Sequence, residues 1–161
     1  MTIRKLFLTL FYSGLFPKAP GTVGSVVALI LGLIILQFLP SSTLFLLALL
    51  ITVLAVKQIN IYEEQMGTHD GKEIVIDELA GMWVALSICG ITQSNILIMS
   101  ILAFVYFRIF DIWKPSIIGR IDEKLKGGWG VMLDDVVAGV AAGIAAGGTY
   151  HLIDKFILAS L

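Results

Sequence analysis

Two segments of the chain share the pattern D-x-x-A-G, and each begins an apolar run. They are residues 77–81 and 135–139, and a second carboxylate adjoins each aspartate, Glu78 in the first and Asp134 in the second. Ionised side chains at the edge of a membrane helix are costly unless they are paired, hydrated or bound to a cation. Carboxylate oxygens suit Mg²⁺, which often shares its site with a substrate phosphate. Brought together, the two segments predict a magnesium site formed by Asp77, Glu78, Asp134 and Asp135.

Small residues in both segments would let the two helices pack closely. These residues are Ala80 and Gly81 in the first segment and Ala138 and Gly139 in the second. The structural alternative is that the carboxylates only offset the macrodipole at the start of each helix. Two similar pairs expected on the same membrane face favour the metal site over that alternative.

A third segment, residues 18–25, could bind phosphate. Its sequence is K-A-P-G-T-V-G-S, and Pro20 with Gly21 predicts a turn in which Thr22 or Ser25 caps a helix. Free backbone N–H groups at the start of a helix attract phosphate, and Lys18 adds a positive charge. The segment is not a Walker A loop, because G-K-[ST] does not follow at the required spacing. An ordinary capped turn is the alternative interpretation.

Arg108, Asp111 and Lys114 follow one another at intervals of three residues, so on a helix they share a face. Arg108 could hold a phosphate through two hydrogen bonds, which lysine cannot do. Asp111 could orient Arg108, ligate a metal or accept a proton. A ladder of ion pairs beside the membrane is the structural alternative.

The composition predicts that helices embedded in a membrane position these residues. Hydrophobic residues make up 58% of the 161 residues, charged residues 14%, and the mean hydropathy is +0.95. Soluble proteins have roughly 25% charged residues. The apolar runs lack the alternation of a membrane barrel, and the net charge of -1 argues against nucleic-acid binding. We expect an all-α, multi-span protein forming a single domain over residues 1–161, with five apolar runs at 23–39, 43–56, 79–91, 96–110 and 131–148.

Four to five of these helices are expected to span, together with a short interfacial or re-entrant helix within residues 6–16. Residues 151–161 could form a further short helix, and residues 117–130 are expected to be a solvated charged loop. Apart from Lys155, every lysine and arginine falls on one side of the predicted spans, which the positive-inside rule identifies as the cytoplasm. A transporter is the alternative function, but it should carry charges near mid-membrane or on both sides.

Four motifs together resemble those of the phosphatidylglycerophosphatase A family. They are K-A-P-G-T-x-G-S at 18–25, I-D-E-x-x-G at 76–81, F-D-x-x-K-P at 110–115 and D-D-x-x-A-G at 134–139, in the order and spacing of the family. The resemblance implies a Mg²⁺-dependent enzyme of the bacterial inner membrane that dephosphorylates phosphatidylglycerol phosphate to phosphatidylglycerol. Its partners would be this lipid substrate and the bilayer, and its oligomeric state is left open.

Other phosphate-handling families lack support in the sequence. The P-S-G-H and S-R-x₅-H motifs of histidine-dependent membrane phosphatases are absent, and the two histidines, His69 and His151, are predicted on opposite sides of the membrane. The D-x-D motif of haloacid-dehalogenase-type phosphatases is absent, as is the D-G-x-x-A-R motif of CDP-alcohol phosphotransferases.

The resulting hypothesis divides the candidate residues by role. The metal lowers the pKa of a bound water, basic side chains stabilise the transition state, and a carboxylate accepts a proton. An aspartyl-phosphate intermediate is the alternative to direct attack by water. The catalytic candidates are Asp77, Glu78, Asp111, Asp134 and Asp135. The candidates for binding phosphate are Lys18, Gly21, Thr22, Ser25, Arg108 and Lys114.

Overall fold

The computed structural model describes residues 2–67 and 71–159, and within them it is helical without a strand, which confirms the all-α prediction. His69 lies outside the described residues. Each of the five predicted apolar runs overlaps one helix. The helices are α1 (Thr2–Leu8), α2 (Pro20–Leu36), α3 (Ser41–Met66), α4 (Ile76–Ile88), α5 (Ile96–Trp113), α6 (Ile117–Lys124) and α7 (Gly128–Ala159), with a short 3₁₀ turn at Ser13–Leu15.

Among the described residues, three helices are long and apolar enough to cross a bilayer: α3, α5 and the Gly128–Phe156 part of α7. The helix α4 has only 13 residues, about 20 Å at 1.5 Å per residue, whereas the hydrocarbon core is about 30 Å thick. Ten of its residues are buried, and it packs against α2, α3, α5 and α7. The run at 79–91 therefore forms the central helix of the bundle, because a short helix that is apolar on all sides can be covered by protein as well as by lipid.

The helices α4 and α7 touch through a stripe of small residues. A Cβ atom added to Gly139 would clash with the carbonyl of Gly81, and one added to Gly143 would lie 2.9 Å from the carbonyl oxygen of Ala85. Gly147 faces Cys89 at the same distance. The contact predicted at Gly81 and Gly139 is thus present and continues for two more turns.

We expect Gly143→Leu to destabilise the protein strongly, because the added side chain would force α4 and α7 apart. An increase of about 2–3 kcal/mol in the free energy of the folded state is the expected size. Thermal unfolding in detergent measures this effect, and Gly148→Leu is the matched control because no described residue lies within 4 Å of a Cβ atom added there. Equal melting temperatures for the two variants would contradict the close contact.

The N-terminal helix α1 is held against the bundle. Three consecutive residues after it, Leu10, Phe11 and Tyr12, have left-handed backbone with φ of 45°, 56° and 68°. Such a conformation costs roughly 1–2 kcal/mol per residue, so the surrounding contacts must hold it. The N–H of Val75 donates to the carbonyl of Leu8 at 3.0 Å. A short N-terminal helix is present as expected, but it covers Thr2–Leu8 rather than residues 6–16, and it packs against α3.

The uncharged loops meet at one end of the bundle, where Gln93 Nε2 donates to the carbonyl of Leu36 at 3.4 Å. Two expectations about the C-terminal third were wrong. Residues 117–124 form the helix α6 with Ile118 buried, since their apolar residues can pack on α7 while their charges face outward. The tail is not a separate helix, because α7 continues through it to Ala159.

Candidate active site

The site lies at the end of the bundle opposite the uncharged loops. Four helices contribute to it through their termini: α2 and α4 at their first turns, α5 at its last turns and α7 near its start. Gly21 in α2 lies beside Glu78 in α4, so closely that a Cβ atom there would clash with the Glu78 carboxylate and lie 3.6 Å from Arg108 Nη2. The absence of a side chain at Gly21 therefore lets the segment at 18–25 approach both residues.

Glu78 is buried and linked to two of the candidate phosphate-binding residues. Its Oε2 accepts a hydrogen bond from Ser25 Oγ at 2.6 Å. Arg108 Nη1 donates to Glu78 Oε2 at 2.6 Å and Oε1 at 2.8 Å, and it lies 3.0 Å from Ser25 Oγ. The side chains of Arg108 and Glu78 are 14% and 8% exposed, so this ion pair is largely shielded from water, and removing one partner would leave an uncompensated buried charge.

Asp111 and Asp135 complete a group of three carboxylates with Glu78. Each of the three offers one oxygen, and these oxygens all lie within 4.8 Å of one another. Asp111 also contacts Arg108 Nη1 at 2.9 Å, across the predicted three-residue spacing on α5. The arrangement concentrates negative charge around a point that a small cation could occupy. We call Glu78, Asp111 and Asp135 the carboxylate cluster.

Lys114 lies beside the carboxylate cluster and connects α7 with α6 through two hydrogen bonds. Its Nζ donates to Asp134 Oδ2 at 2.7 Å and to Asp122 Oδ1 at 2.6 Å. Burial opposes the charge of Lys114, but the bonds to Asp122 and Asp134 outweigh burial and raise the pKa of its ammonium group. The residue has left-handed backbone at the end of α5, just before Pro115, so its side chain leaves the helical face shared by Arg108 and Asp111.

The remaining candidates occupy the periphery. Asp77 Oδ1 accepts a hydrogen bond from the N–H of Glu78 at 3.0 Å, and it lies close enough to Asp111 and Asp134 for their charges to interact. The side chain of Lys18 is exposed and forms no ion pair with another described residue. Thr22 is half-buried, without a side-chain hydrogen bond to a described residue.

The structure thus regroups the predicted residues. Gly21, Ser25 and Arg108 lie together with the carboxylate cluster, whereas Asp134 is paired with Lys114 and Asp77 lies outside the group of three. Asp122 was not among the predicted site residues, because the segment that contains it was expected to be a solvated loop. The available signal was the turn at Pro115, which brings residues following it back toward Lys114.

Six carboxylates, counting Asp122, and two basic side chains meet here, and some of their polar atoms have no partner among the described residues. Asp134 Oδ1, Asp135 Oδ2 and Arg108 Nε are buried and form no hydrogen bond within the described part of the chain. Unpaired buried polar atoms are costly. A site with excess carboxylates and unsatisfied oxygens is suited to binding a cation, and the neighbouring guanidinium and ammonium groups are suited to binding an anion beside it.

Comparison with known proteins gives consistent results. A family model for phosphatidylglycerophosphatase A matches residues 6–150. The phosphatidylglycerophosphatase A of Escherichia coli (strain K12) is 39% identical over 142 residues, covering 88% of this chain and 78% of the relative. That of Haemophilus influenzae is 40% identical over 133 residues, covering 82% of this chain and 79% of the relative.

A third relative, named as a putative phosphatidylinositol-3-phosphatase of Bacteroides thetaiotaomicron, is 38% identical over 134 residues, covering 81% of this chain and 82% of the relative. No solved structure matches the chain. The matched region contains all four motifs and every residue of the carboxylate cluster, and the chain belongs to the phosphatidylglycerophosphatase A family.

Proposed function

We propose that the protein hydrolyses the phosphate monoester of phosphatidylglycerol phosphate, giving phosphatidylglycerol and inorganic phosphate. The family to which the chain belongs makes it a phosphatase. The observation that carries the proposal is the convergence of Glu78, Asp111 and Asp135 beside Arg108 at one end of an apolar bundle. A transporter is disfavoured because these charges cluster at the ends of helices on one side.

We propose Mg²⁺ as the cofactor, held by the carboxylate cluster. The fit rests on three carboxylate oxygens within 4.8 Å of one another and on the unpartnered Asp135 Oδ2, since hard oxygen donors are the ligands that Mg²⁺ takes. Asp77 and Asp134 would support the site from its edge. When bound, Mg²⁺ would supply charge neutralisation of the phosphate oxygens and an activated water.

The side chains around the cluster would hold the substrate phosphate. Arg108 uses Nη1 for Glu78 and Asp111, while its Nη2 faces Gly21 and its Nε has no partner among the described residues. A phosphate near Gly21 would meet this edge of the guanidinium, the start of α2 and the exposed Lys18. Lys114 would lend positive charge from the Asp134 side. These contacts orient the monoester and stabilise the charge that develops on its oxygens.

One carboxylate would also move a proton. Asp134 Oδ1 is free of hydrogen bonds within the described chain while Oδ2 is held by Lys114, so the side chain is oriented and has an oxygen to spare. An attacking water could pass its proton to Asp134 or to Asp135. Attack by an aspartate to form an aspartyl-phosphate is the alternative route.

The proposal is tested by the release of inorganic phosphate from lipids mixed with the purified protein in detergent. Phosphatidylglycerol phosphate should be the preferred substrate over phosphatidylinositol 3-phosphate and over water-soluble glycerol 3-phosphate. Preference for the inositol lipid would move the assignment toward the function in the name of the Bacteroides relative. Release from none of them would refute a phosphatase of this class.

We further propose that the protein resides in the bacterial inner membrane as a multi-pass protein, with its active site facing the cytoplasm. Ser94 lies in an uncharged loop and Lys126 at the charged end, and both are exposed. In a Cys89→Ala background, Ser94→Cys should react with a membrane-impermeant thiol reagent in intact spheroplasts. Lys126→Cys should react only after the membrane is opened. The opposite labelling pattern would reverse the orientation.

A further inference from the structure

An apolar groove runs between α1 and the three helices α2, α3 and α4. Its volume is about 470 Å³, within the roughly 300–1,000 Å³ range of ligand pockets. Every side chain that lines it is aliphatic or aromatic. The lining residues that matter below are Leu31, Ile34, Ile35, Ile76, Leu79 and Trp83. We propose that this groove holds one acyl chain of the lipid whose phosphate group the carboxylate cluster hydrolyses, an inference that rests on the proposed function.

The groove begins beside the active site. Ile76 and Leu79 line it, and they are three residues apart, so they share one face of α4. Glu78 lies between them in sequence and points instead toward Ser25 and Arg108. Adjacent residues of a single helical turn therefore contact the groove on one side and the carboxylate cluster on the other. A lipid with its phosphate at the cluster would have its chains at the mouth of the groove.

The depth of the groove matches one leaflet of a bilayer. Gly21 lies beside Glu78 at the level of the cluster, and Leu31 to Ile35 line the groove further along α2. They follow Gly21 by 10 to 14 residues, which corresponds to about 15–21 Å along the helix. Half of the hydrocarbon core is about 15 Å thick. An acyl chain attached to a lipid at the cluster would reach these residues.

The helix α1 forms the outer side of the groove and is fixed in place. The helix α1 supplies Leu6 and Phe7 to the groove, and Arg4 anchors α1 by donating to Gln58 and Gln65, both at 2.9 Å. The left-handed turn after α1 and the bond from Val75 to Leu8 hold its other end. Because α1 is held at both ends, it cannot move inward and close the groove. An apolar groove of this kind does not attract water.

The groove is open toward the bilayer. Ile3 and Ile34 both line it, and their exposed fractions are 83% and 52%. A chain could therefore enter from the membrane rather than through the bundle. The groove could instead hold unselected bulk lipid or a side chain from a second copy of this protein. In neither case would narrowing the groove change KM according to the chain length of the substrate.

The proposal is tested with substitutions that narrow the groove and with substrates that differ only in the length of their acyl chains. Ile34→Trp fills the groove from its open side, and Leu31→Phe fills it from within α2. Ile30→Trp is the matched control, since Ile30 is 53% exposed on the same helix but does not line the groove. Phosphate release is measured with dioleoyl and dihexanoyl phosphatidylglycerol phosphate in the same detergent.

Both groove variants should raise KM for the dioleoyl lipid by about tenfold, the effect expected when about two methylene groups lose their contact. KM for the dihexanoyl lipid should stay within about twofold of wild type by the same reasoning, and Ile30→Trp should leave both values unchanged. Unchanged KM for the dioleoyl lipid in both groove variants, or equal losses on both lipids, would overturn the acyl-chain assignment. An inactive wild-type protein would instead refute the proposed function.

A second measurement does not depend on how the variants fold. A phosphatidylglycerol analogue with a photoreactive group near the end of one chain should label Leu31, Ile35 and Phe7 of the wild-type protein. Labelling spread evenly over outward-facing residues such as Ile98 and Ile101 would show that only bulk lipid occupies the groove.

Discussion

Asp135→Asn is expected to reduce phosphate release at least about 100-fold, a loss of about 2.7 kcal/mol of transition-state stabilisation. Asp135 is buried, belongs to the carboxylate cluster and has one oxygen that forms no hydrogen bond within the part of the chain that the structure describes. A neutral amide is a poor ligand for Mg²⁺, yet it has nearly the same shape, so the protein should still fold. The measurement is kcat at saturating lipid and Mg²⁺, with thermal unfolding as the check on folding.

Asp154→Asn provides the control for this prediction, because Asp154 is exposed on the same helix, away from the cluster. It should retain wild-type turnover. If the carboxylates only offset helix dipoles, Asp135→Asn should lose about 0.5–2 kcal/mol of stability and keep its rate. Near-normal turnover in both Asp135→Asn and Glu78→Gln would therefore exclude the cluster as the metal site.

The Asp77→Asn variant tests whether three carboxylates or more bind the metal ion. Asp77 makes its hydrogen bond to the N–H of Glu78 and lies outside the group of three. A loss as large as that of Asp135→Asn would place Asp77 among the ligands, as the sequence predicts. A smaller loss, of about 10–100-fold, would make Asp77 a residue that supports the metal ligands.

Arg108→Lys is expected to lower kcat/KM by at least about tenfold, or about 1.4 kcal/mol. Lysine keeps the charge but has no planar group that can bind Glu78 and Asp111 through one edge and a phosphate through another. Steady-state kinetics at saturating Mg²⁺ measure the effect. Lys114→Arg is the companion variant, since it also exchanges one basic residue for the other, and it should be affected less.

Stability distinguishes the two explanations for a loss at Arg108. If Arg108 serves only the ion pairs with Glu78 and Asp111, Arg108→Lys should lower the melting temperature while the remaining folded protein turns over normally. A kcat/KM within twofold of wild type would assign Arg108 to the scaffold and leave Lys18 and Lys114 as phosphate ligands.

Much of the fold follows directly from the sequence, because each long apolar run is helical when no water can satisfy its backbone. The sequence does not determine whether a given apolar helix faces lipid or is surrounded by protein. Residues 76–88 form the central helix although their composition resembles that of the spanning helices, since both surroundings are apolar. The lengths of the predicted runs did not distinguish the two cases either, since the run at 43–56 is nearly as short and belongs to the 26-residue helix α3.

Contacts between side chains were predicted correctly where spacing determined which residues share a face of a helix. Arg108 and Asp111 are three residues apart on α5, and their side chains meet. Adjacent residues on a helix point about 100° apart, so Asp77 and Glu78 cannot both aim at one point, and neither can Asp134 and Asp135. The structure accordingly brings one member of each pair into the cluster. The pairing of Asp122 with Lys114 depends on the turn at Pro115, which has no periodic pattern in the sequence.

We propose that the carboxylate cluster binds the Mg²⁺ on which lipid phosphate hydrolysis depends. The most direct test of this claim is the rate of phosphate release from phosphatidylglycerol phosphate by the purified protein, after chelation of divalent cations and after Mg²⁺ is returned. We expect release to stop on chelation and to recover with Mg²⁺ in the wild-type protein, whereas Asp135→Asn should stay inactive at every Mg²⁺ concentration. Undiminished release by the chelated wild-type protein would contradict the claim.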